Sequence, residues 1–480
     1  MTTSRRHVPA APGGVEEHFE SADYLKKRQL RSGTAGWLLL AGLGIGYVIS
    51  GDYSGWNFGL AEGGFGGLAI AAVVIAGMYL ALVLGMAELS SALPAAGGGY
   101  TFARRALGPW GGFATGTAIL IEYSIAPAAI ATFIGAYVES LGLFGITDGW
   151  WIYLVAFAVF IGIHLAGVGE ALKVMFVITA VALVGLVVFA IAALGHFDLA
   201  NLTNIAPTDA AGASSFLPHG YLGIWAAIPF AIWFFLAVEG VPLAAEETAN
   251  PERNVPRGII AAISVLLITC ATVLVLATGS GGAEQMSASG NPLVEALGDG
   301  TAAKVVNYIG LAGLIASFFS IIYAYSRQLF ALSRAGYLPT VLSVTNSRKA
   351  PMLALIVPGV IGFVLSLTGK GALLLNMAVF GAALSYVLMM VSHIVLRRRE
   401  PNMRRPYRTP GGTLTTGFAL VIAVLAVIAT FLVDVVAAFF CLLVFAGFMV
   451  YFALYSRHKL VANSPDEEFA MLAEAESELK

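Results

Sequence analysis

Ile49-Ser50-Gly51-Asp52-Tyr53-Ser54-Gly55 interrupts the first of twelve long apolar segments, setting a carboxylate and two glycines where an unbroken membrane helix would run. A charge at the centre of a spanning helix costs about 3 kcal/mol even on a lenient insertion scale, and irregular backbone at that depth is tolerated only where it lines a cavity. The stretch therefore reads as a helix break at a binding site.

The chain around it is apolar throughout. Hydrophobic residues make up 58% and charged residues 11% of the 480 positions, with a mean hydropathy of +0.84. These values exclude the ordinary soluble class and predict an all-α polytopic membrane protein. Spans are expected at 37–60, 67–93, 110–138, 150–165, 172–194, 222–245, 258–277, 305–332, 353–367 and 373–396, followed by two more separated near Asp434 and ending at about Tyr455. A polar tail (1–33) precedes the transmembrane domain (34–456), and a second tail (457–480) follows it. The stretch from Ser464 to Lys480 is acidic and Ala-rich and is assigned no function. No apolar leader with a cleavage site is visible at the start.

Lys and Arg resist translocation and collect in short cytoplasmic loops. With this alternation of spans, all but two of the 26 basic residues fall on one face, Lys304 and Lys370 being the exceptions. Both termini are thus expected in the cytoplasm, with the chain in the cell membrane. The net charge of −2 is uninformative about a partner.

A second interruption lies in span 6, at Ala237-Val238-Glu239-Gly240 followed by Pro242. Matching breaks in two five-helix halves, spans 1–5 and 6–10, point to an inverted-repeat transporter with a midplane site, spans 11 and 12 being peripheral. Glycine alone is a weak marker, since membrane helices use it for close packing. The pattern gains weight because each break also holds an acid, Asp52 or Glu239.

Other chemistries find no support. Cys270 and Cys441 both sit inside apolar spans, which argues against a disulfide framework. The seven histidines are scattered without a second ligand at helical spacing, so neither a metal nor a cofactor is expected. His164 and His393, within spans, read chiefly as packed, hydrogen-bonded residues, with proton handling as the alternative. No phosphate-binding glycine loop or nucleic-acid patch is present, and Gly63-Gly64-Phe65-Gly66-Gly67 reads as the turn before span 2. An ATP-driven pump lacks its Walker loop, an intramembrane enzyme its nucleophile and base, and a sensor its appended domain.

Four stretches resemble the signatures of the amino acid, polyamine and organocation transporters. They are Ala87-Glu88-Leu89-Ser90-Ser91-Ala92-Leu93-Pro94 continuing through Gly97-Gly98-Gly99-Tyr100 and Gly108-Pro109; Glu246-Glu247-Thr248-Ala249-Asn250-Pro251-Glu252-Arg253-Asn254-Val255-Pro256-Arg257; Ser326-Arg327 with Leu332-Ser333-Arg334-Ala335-Gly336-Tyr337-Leu338-Pro339; and Arg399-Glu400-Pro401 with Arg405-Pro406-Tyr407-Arg408. Within that family, the run from Ile49 to Leu60, the run from Tyr100 to Gly112 and the pair Glu122-Tyr123 are most similar to the ethanolamine permease branch. The resemblance implies a LeuT-like 5+5 inverted repeat with broken helices 1 and 6. It implies a secondary carrier importing ethanolamine or a similar small cationic amine by alternating access, with an amino-acid permease or exchanger of the same family as the alternative.

In amino-acid carriers of the family the first break presents bare backbone N–H groups to a substrate carboxylate. Here Asp52 takes the third position of that break, and its charge would attract an ammonium by about 4 kcal/mol at 4 Å and repel a carboxylate equally. The expected substrate carries an amine and lacks an acid, which fits ethanolamine independently of the resemblance. An alternative reading makes Asp52 a half-helix cap.

Ser50, Gly51, Asp52, Tyr53, Ala237, Val238 and Glu239 form the expected midplane set, with Ser50 available to a substrate hydroxyl. Glu239 has three roles open to it: amine contact, a transported proton, or stabilisation of the gate. Glu122, flanked by apolar residues in span 3, is a supporting candidate or a structural hydrogen bond between helices. Trp233 lies six residues before Glu239, where the resemblance implies an aromatic that closes over the substrate and whose ring face would also attract an ammonium, an ordinary packing Trp being the alternative; Tyr53, Phe234, Phe235 and Tyr323 are weaker gate candidates. Glu88, Glu246, Glu247, Arg253, Arg257 and Arg327 read as loop anchors and an inner-gate ion-pair network. Some relatives carry a Lys in helix 5 that stands in for a sodium ion, and the matching position is Ala182. Coupling is therefore left open between H+ through Glu239, Na+ near Ser317 and Ser320, and uncoupled exchange.

Overall fold

The computed structural model describes residues 14–30, 33, 35–95, 97–142 and 149–465, the side chains of 168–172 excepted. Arg5, Arg6, Arg31, Lys480 and the acidic tail beyond residue 465 lie outside the described residues.

Among the described residues, ten helices are long and apolar enough to cross a membrane, and two shorter apolar helices, Trp37–Tyr53 and Met352–Ser366, complete twelve segments. The protein is an all-α polytopic membrane protein, its backbone polar groups satisfied within each helix as hydrocarbon requires. Spans 1 and 9 are the two shorter helices. Spans 2, 3 and 4 are Phe58–Ala92, Gly99–Ser140 and Gly149–Ala166, and span 5 is Val168–Ala193. Span 6 begins as Gly220–Trp233; spans 7 and 8 are Pro251–Gly281 and Thr301–Arg334, and spans 10, 11 and 12 are Gly371–Arg399, Thr413–Val433 and Val435–Leu454.

Burial sorts these helices into an inner and an outer set. The most apolar stretch of span 3 is 94% buried inside the protein, whereas those of spans 4 and 12 are only 22% buried. Span 3 is the central post, packed along span 10, while span 2 packs on span 6, span 5 on span 8, and span 1 on span 7. The outward rows carry Val73, Val184, Ile268, Leu432 and Val436, the surface expected to meet lipid.

Two glycines set how the helices enter the bundle. Gly64, at φ 63° and ψ −177°, turns the chain sharply, so residues 58–63 belong to the second half of span 1 and span 2 starts beyond them. Gly108, at φ 74°, separates a short leading helix from the membrane part of span 3. An L side chain at either φ would be strained.

The basic ends of the spans are tied to both tails. Glu17–His18 pairs in parallel with Leu460–Val461, and the buried Arg104 holds Glu17 at 2.6 Å. Glu88, fully buried, takes Arg397 at 2.5 Å and Arg405 at 3.0 Å. Arg105 pairs with Glu400 at 2.8 Å.

Candidate functional site

The first break occupies only the end of the expected stretch, Ser50 to Gly55, and runs two residues beyond it. Ser50–Tyr53 stays helical, held by Ile49 N–H to the Ile45 carbonyl at 2.9 Å and Ser54 N–H to the Ser50 carbonyl at 2.9 Å. Unwinding occurs over residues 54–57: Ser54 is extended, and Gly55 takes φ 96°. The physical reason is the packing of Tyr53, whose hydroxyl donates to the Ala182 carbonyl of span 5 at 2.7 Å while its own carbonyl accepts from Tyr137 at 3.0 Å. Those ties hold the helical turn and defer the break to the next glycine.

Span 6 breaks where expected. Its helix ends at Trp233, Ala237 adopts the left-handed region at φ 77°, and a 3₁₀ segment, Val238–Glu247, carries the chain to the basic end. A left-handed alanine costs about 1–2 kcal/mol and persists only where surrounding contacts hold it. One such contact is Gly240 N–H to the Ala237 carbonyl at 2.9 Å.

The two breaks touch backbone to backbone. A Cβ at Gly51 would sit 2.4 Å from the Trp233 carbonyl oxygen, and one at Gly55 would sit 2.7 Å from the Trp233 indole nitrogen. The absence of side chains there lets Trp233 donate its indole N–H to the Ser54 carbonyl at 3.0 Å.

Between them lies a cavity with about 10 Å³ of free volume, lined by Tyr47, Val48 and Ser50 of span 1, Ala126 and Ile130 of span 3, Trp233 and Leu236 of span 6, and Ile321 of span 8. It has room for about one water, so the arrangement is closed. Ser50 and Trp233 are thus brought to the cavity. Gly51 stands against its rim through the Trp233 carbonyl, and Tyr53 acts as a strut between spans 3 and 5. Ala237 and Val238 are buried but outside the lining, Val238 packing toward Gly44 of span 1. Phe235 packs on Tyr79 of span 2, ring centroids 5.3 Å apart, and does not reach the cavity.

Asp52 is fully buried, yet it turns away from this cavity toward Thr269 and Cys270 of span 7. Neither carboxylate oxygen has a well-formed hydrogen bond. The half-helix cap considered from sequence is not formed, since Ser50–Tyr53 carries no side-chain cap.

A second group of acids sits behind Tyr47. Glu239 accepts from the Tyr123 hydroxyl at 3.0 Å on one oxygen and from Tyr386 at 3.2 Å on the other, and the hydroxyls of Tyr79 and Tyr386 meet at 2.8 Å. Glu122 lies against Glu239, fully buried, with no donor to either oxygen.

Toward the basic end, Arg327 pairs with Glu247 at 2.8 Å, both side chains buried. Tyr323 donates to the same carboxylate, with the guanidinium of Arg327 over its ring at 4.3 Å. Tyr323 therefore belongs to this ion-pair cluster and does not line the cavity. Glu246 pairs with Arg334 at 2.5 Å. Ala35 joins the entry of span 1 to the segment after span 6 through Ala35 N–H to the Glu247 carbonyl at 3.1 Å and Ala249 N–H to the Ala35 carbonyl at 3.0 Å.

Ser317 donates to the Tyr47 carbonyl at 2.6 Å and meets Ser50 at 2.8 Å. Ser320 bonds the Ala316 carbonyl at 2.7 Å, close to Gly46 and to the unpartnered hydroxyl of Thr179. Thr179 stands at this junction of spans 1, 5 and 8, while Ala182 packs farther along span 5 near Gly313 and Tyr53. Among the described residues no cluster of His, Cys, Asp or Glu could hold a metal ion. Sequence reasoning missed Tyr47, Tyr79, Tyr386 and Thr179; a hydroxyl on an apolar helix is the only signal they carry, and tyrosine and threonine are too common in membrane helices for it to discriminate.

Twelve apolar segments, two of them interrupted and meeting at a buried cavity, define a multi-pass membrane transporter. The chain belongs to the amino acid permease family, whose model matches residues 36–455, and so to the transporter superfamily its signatures resemble; its members are carriers rather than enzymes. It is 27% identical to a branched-chain amino acid permease of Bacillus subtilis (strain 168), over 86% of this chain and 91% of the relative. It is 28% identical to a methylthioribose transporter of the same organism, covering 77% and 82%. An L-asparagine permease of Streptomyces coelicolor is 29% identical, covering 72% and 74%.

Proposed function

We propose that this chain is a secondary carrier that imports ethanolamine or a similarly small cationic amine across the cell membrane. The two five-span halves, spans 1–5 and 6–10, rock about the paired breaks, with both termini in the cytoplasm. The observation that carries the reading is electrostatic. Three buried carboxyl groups, Asp52, Glu122 and Glu239, lie around the two breaks outside the cavity lining, and among the described residues no Lys, Arg or His pairs with any of them.

An ammonium entering this region meets uncompensated acids, whereas a substrate carboxylate meets no cation. The backbone also argues against a carboxylate: at the first break the N–H of Gly55 is taken by the Asn57 side chain at 3.1 Å, and those of Asp52 and Ser54 by carbonyls of the preceding turn. Asp52 is the proposed amine partner. It faces span 7 while the site is closed, so pairing requires the first break and span 7 to part as the amine enters. Coupling is assigned to a proton at Glu239, with Na+ near Ser317 and Ser320 as the competing choice.

The names of the relatives support a second reading, an amino-acid permease. Uptake by proteoliposomes separates the two: labelled ethanolamine is competed by unlabelled ethanolamine, choline, alanine, leucine and asparagine under imposed proton or sodium gradients. Accumulation of ethanolamine unaffected by the amino acids supports the amine reading. Accumulation of leucine or asparagine with no ethanolamine uptake replaces it with the second.

A further inference from the structure

We propose that Glu122 and Glu239 act as one proton-binding site, a carboxyl pair that holds a single proton between them and is separated from the substrate cavity by Tyr47. The inference rests on the carrier reading above and supplies the second half of its coupling site.

The hydrogen-bond directions make the case. Both oxygens of Glu239 already accept, one from Tyr123 at 3.0 Å and one from Tyr386 at 3.2 Å. Because the Tyr386 proton points at Glu239, the 2.8 Å contact between hydroxyls is a donation from Tyr79 to Tyr386. Glu239 thus sits at the end of a donor chain drawn from spans 2, 3 and 10, the arrangement suited to a carboxylate.

Glu122 has the opposite environment. It is fully buried, and neither of its oxygens meets a donor. The side chain it contacts is Glu239, within hydrogen-bonding reach. Two carboxylates in contact in a dry interior cannot both be ionised, and a buried acceptor without a donor is costly. A proton on Glu122, donated to Glu239, removes the repulsion and turns one of its two donorless oxygens into a donor. Glu239 accepts more than one hydrogen bond per oxygen without difficulty.

The surrounding groups supply no competing charge. Tyr123 from span 3 and Tyr386 from span 10 donate to Glu239, Tyr79 from span 2 meets Tyr386, and Tyr47 from span 1 stands beside them with its hydroxyl unpartnered; all four are uncharged. The ion pair of Arg327 and Glu247 lies beyond Tyr47 and is internally compensated.

The position gives the proton a mechanical consequence. Glu239 follows the left-handed Ala237 by two residues, and the missing Cβ of Gly240 allows the Tyr123 hydroxyl to approach, an added Cβ falling 2.9 Å from it. Loss of the shared proton leaves two carboxylates in contact on spans 3 and 6, and their repulsion pushes the span 6 break away from the central post. Leu236 and Trp233, which line the cavity, move with it. Reprotonation from the other side draws the break back, so one proton bound and released per cycle drives closure and opening.

Infrared spectroscopy of the purified full-length protein tests the site directly. At neutral pH without substrate, the wild-type minus Glu122→Gln/Glu239→Gln difference spectrum is expected to show the carbonyl stretch of one protonated carboxylic acid per chain. Tyr123→Phe, which removes one donor and no carboxyl, is expected to shift that band. No band in the difference, or a band indifferent to Tyr123→Phe, overturns the proposal.

In liposomes with an imposed proton gradient, Glu122→Gln and Glu239→Gln are each expected to abolish gradient-driven accumulation, with the double variant no worse than either. A wild-type gradient response retained by Glu122→Gln, or effects that add in the double variant, also overturn it. Failure of the carrier reading looks different: wild type then transports no amine or amino acid while the infrared band persists.

Discussion

The indole N–H of Trp233 donates to the carbonyl of Ser54 at 3.0 Å, so the last helical residue of one broken span seals the first unwound residue of the other. Neither group has another partner in the helices, because each lies where regular hydrogen bonding stops. The contact is expected to exist only while the site is closed. Trp233→Phe keeps the ring packing against Phe133 but leaves a buried carbonyl unpaired, at a cost of about 1–3 kcal/mol. Half-saturation for uptake is expected to rise roughly 5- to 150-fold. An unchanged half-saturation in Trp233→Phe shows that this bond does not hold the closed state.

Asp52→Asn keeps the shape of the side chain and removes its charge. On the amine reading it weakens ethanolamine binding by roughly 2–4 kcal/mol, about 30- to 1000-fold. Titration calorimetry of the purified wild type and variant at equal pH and ionic strength measures this. Equal affinities in a folded variant move the amine to the carbonyls of the span 6 break or to Glu239.

The Arg327 and Glu247 pair lies at the basic end in a setting where neither charge reaches solvent, and as an inner gate it would close that end. Removing one partner strands the other, a loss of about 3–5 kcal/mol for a buried pair. Arg327→Ala is therefore expected to lower the melting temperature and to expose the basic side of the cavity. A cysteine introduced at Ser50 should then react with a thiol reagent applied from that side, whereas in the Arg327 parent it stays protected. Equal protection in both backgrounds assigns the gate elsewhere.

Topology is testable with two surface cysteines. Ala288 and Asn402 are both exposed, the first in the segment after span 7 and the second in the basic loop after span 10. In intact cells, Ala288→Cys is expected to react with an impermeant reagent and Asn402→Cys only after permeabilisation, because the basic loops stay inside. Reaction of both before permeabilisation removes the proposed orientation.

The amino-acid sequence by itself determined the membrane class, the twelve segments, the break in span 6 and the acids near the midplane. Those features are written in local composition: an apolar run long enough to cross hydrocarbon has no other stable use, and an acid or a glycine cluster within it needs an internal reason. The tertiary structure decided where the first helix opens and which way each acid faces. Ser50–Tyr53 remains helical because Tyr53 is pinned to spans 3 and 5, contacts more than 80 residues away in the chain. Asp52 and Ser50 stand two positions apart on one turn, yet Ser50 lines the cavity and Asp52 meets span 7. Glu122 and Glu239 come together only because span 3 passes behind the break in span 6. A side chain's direction on a helix follows from how that helix is rotated against its neighbours, and the rotation is set by packing summed over many helices that no local stretch of sequence contains.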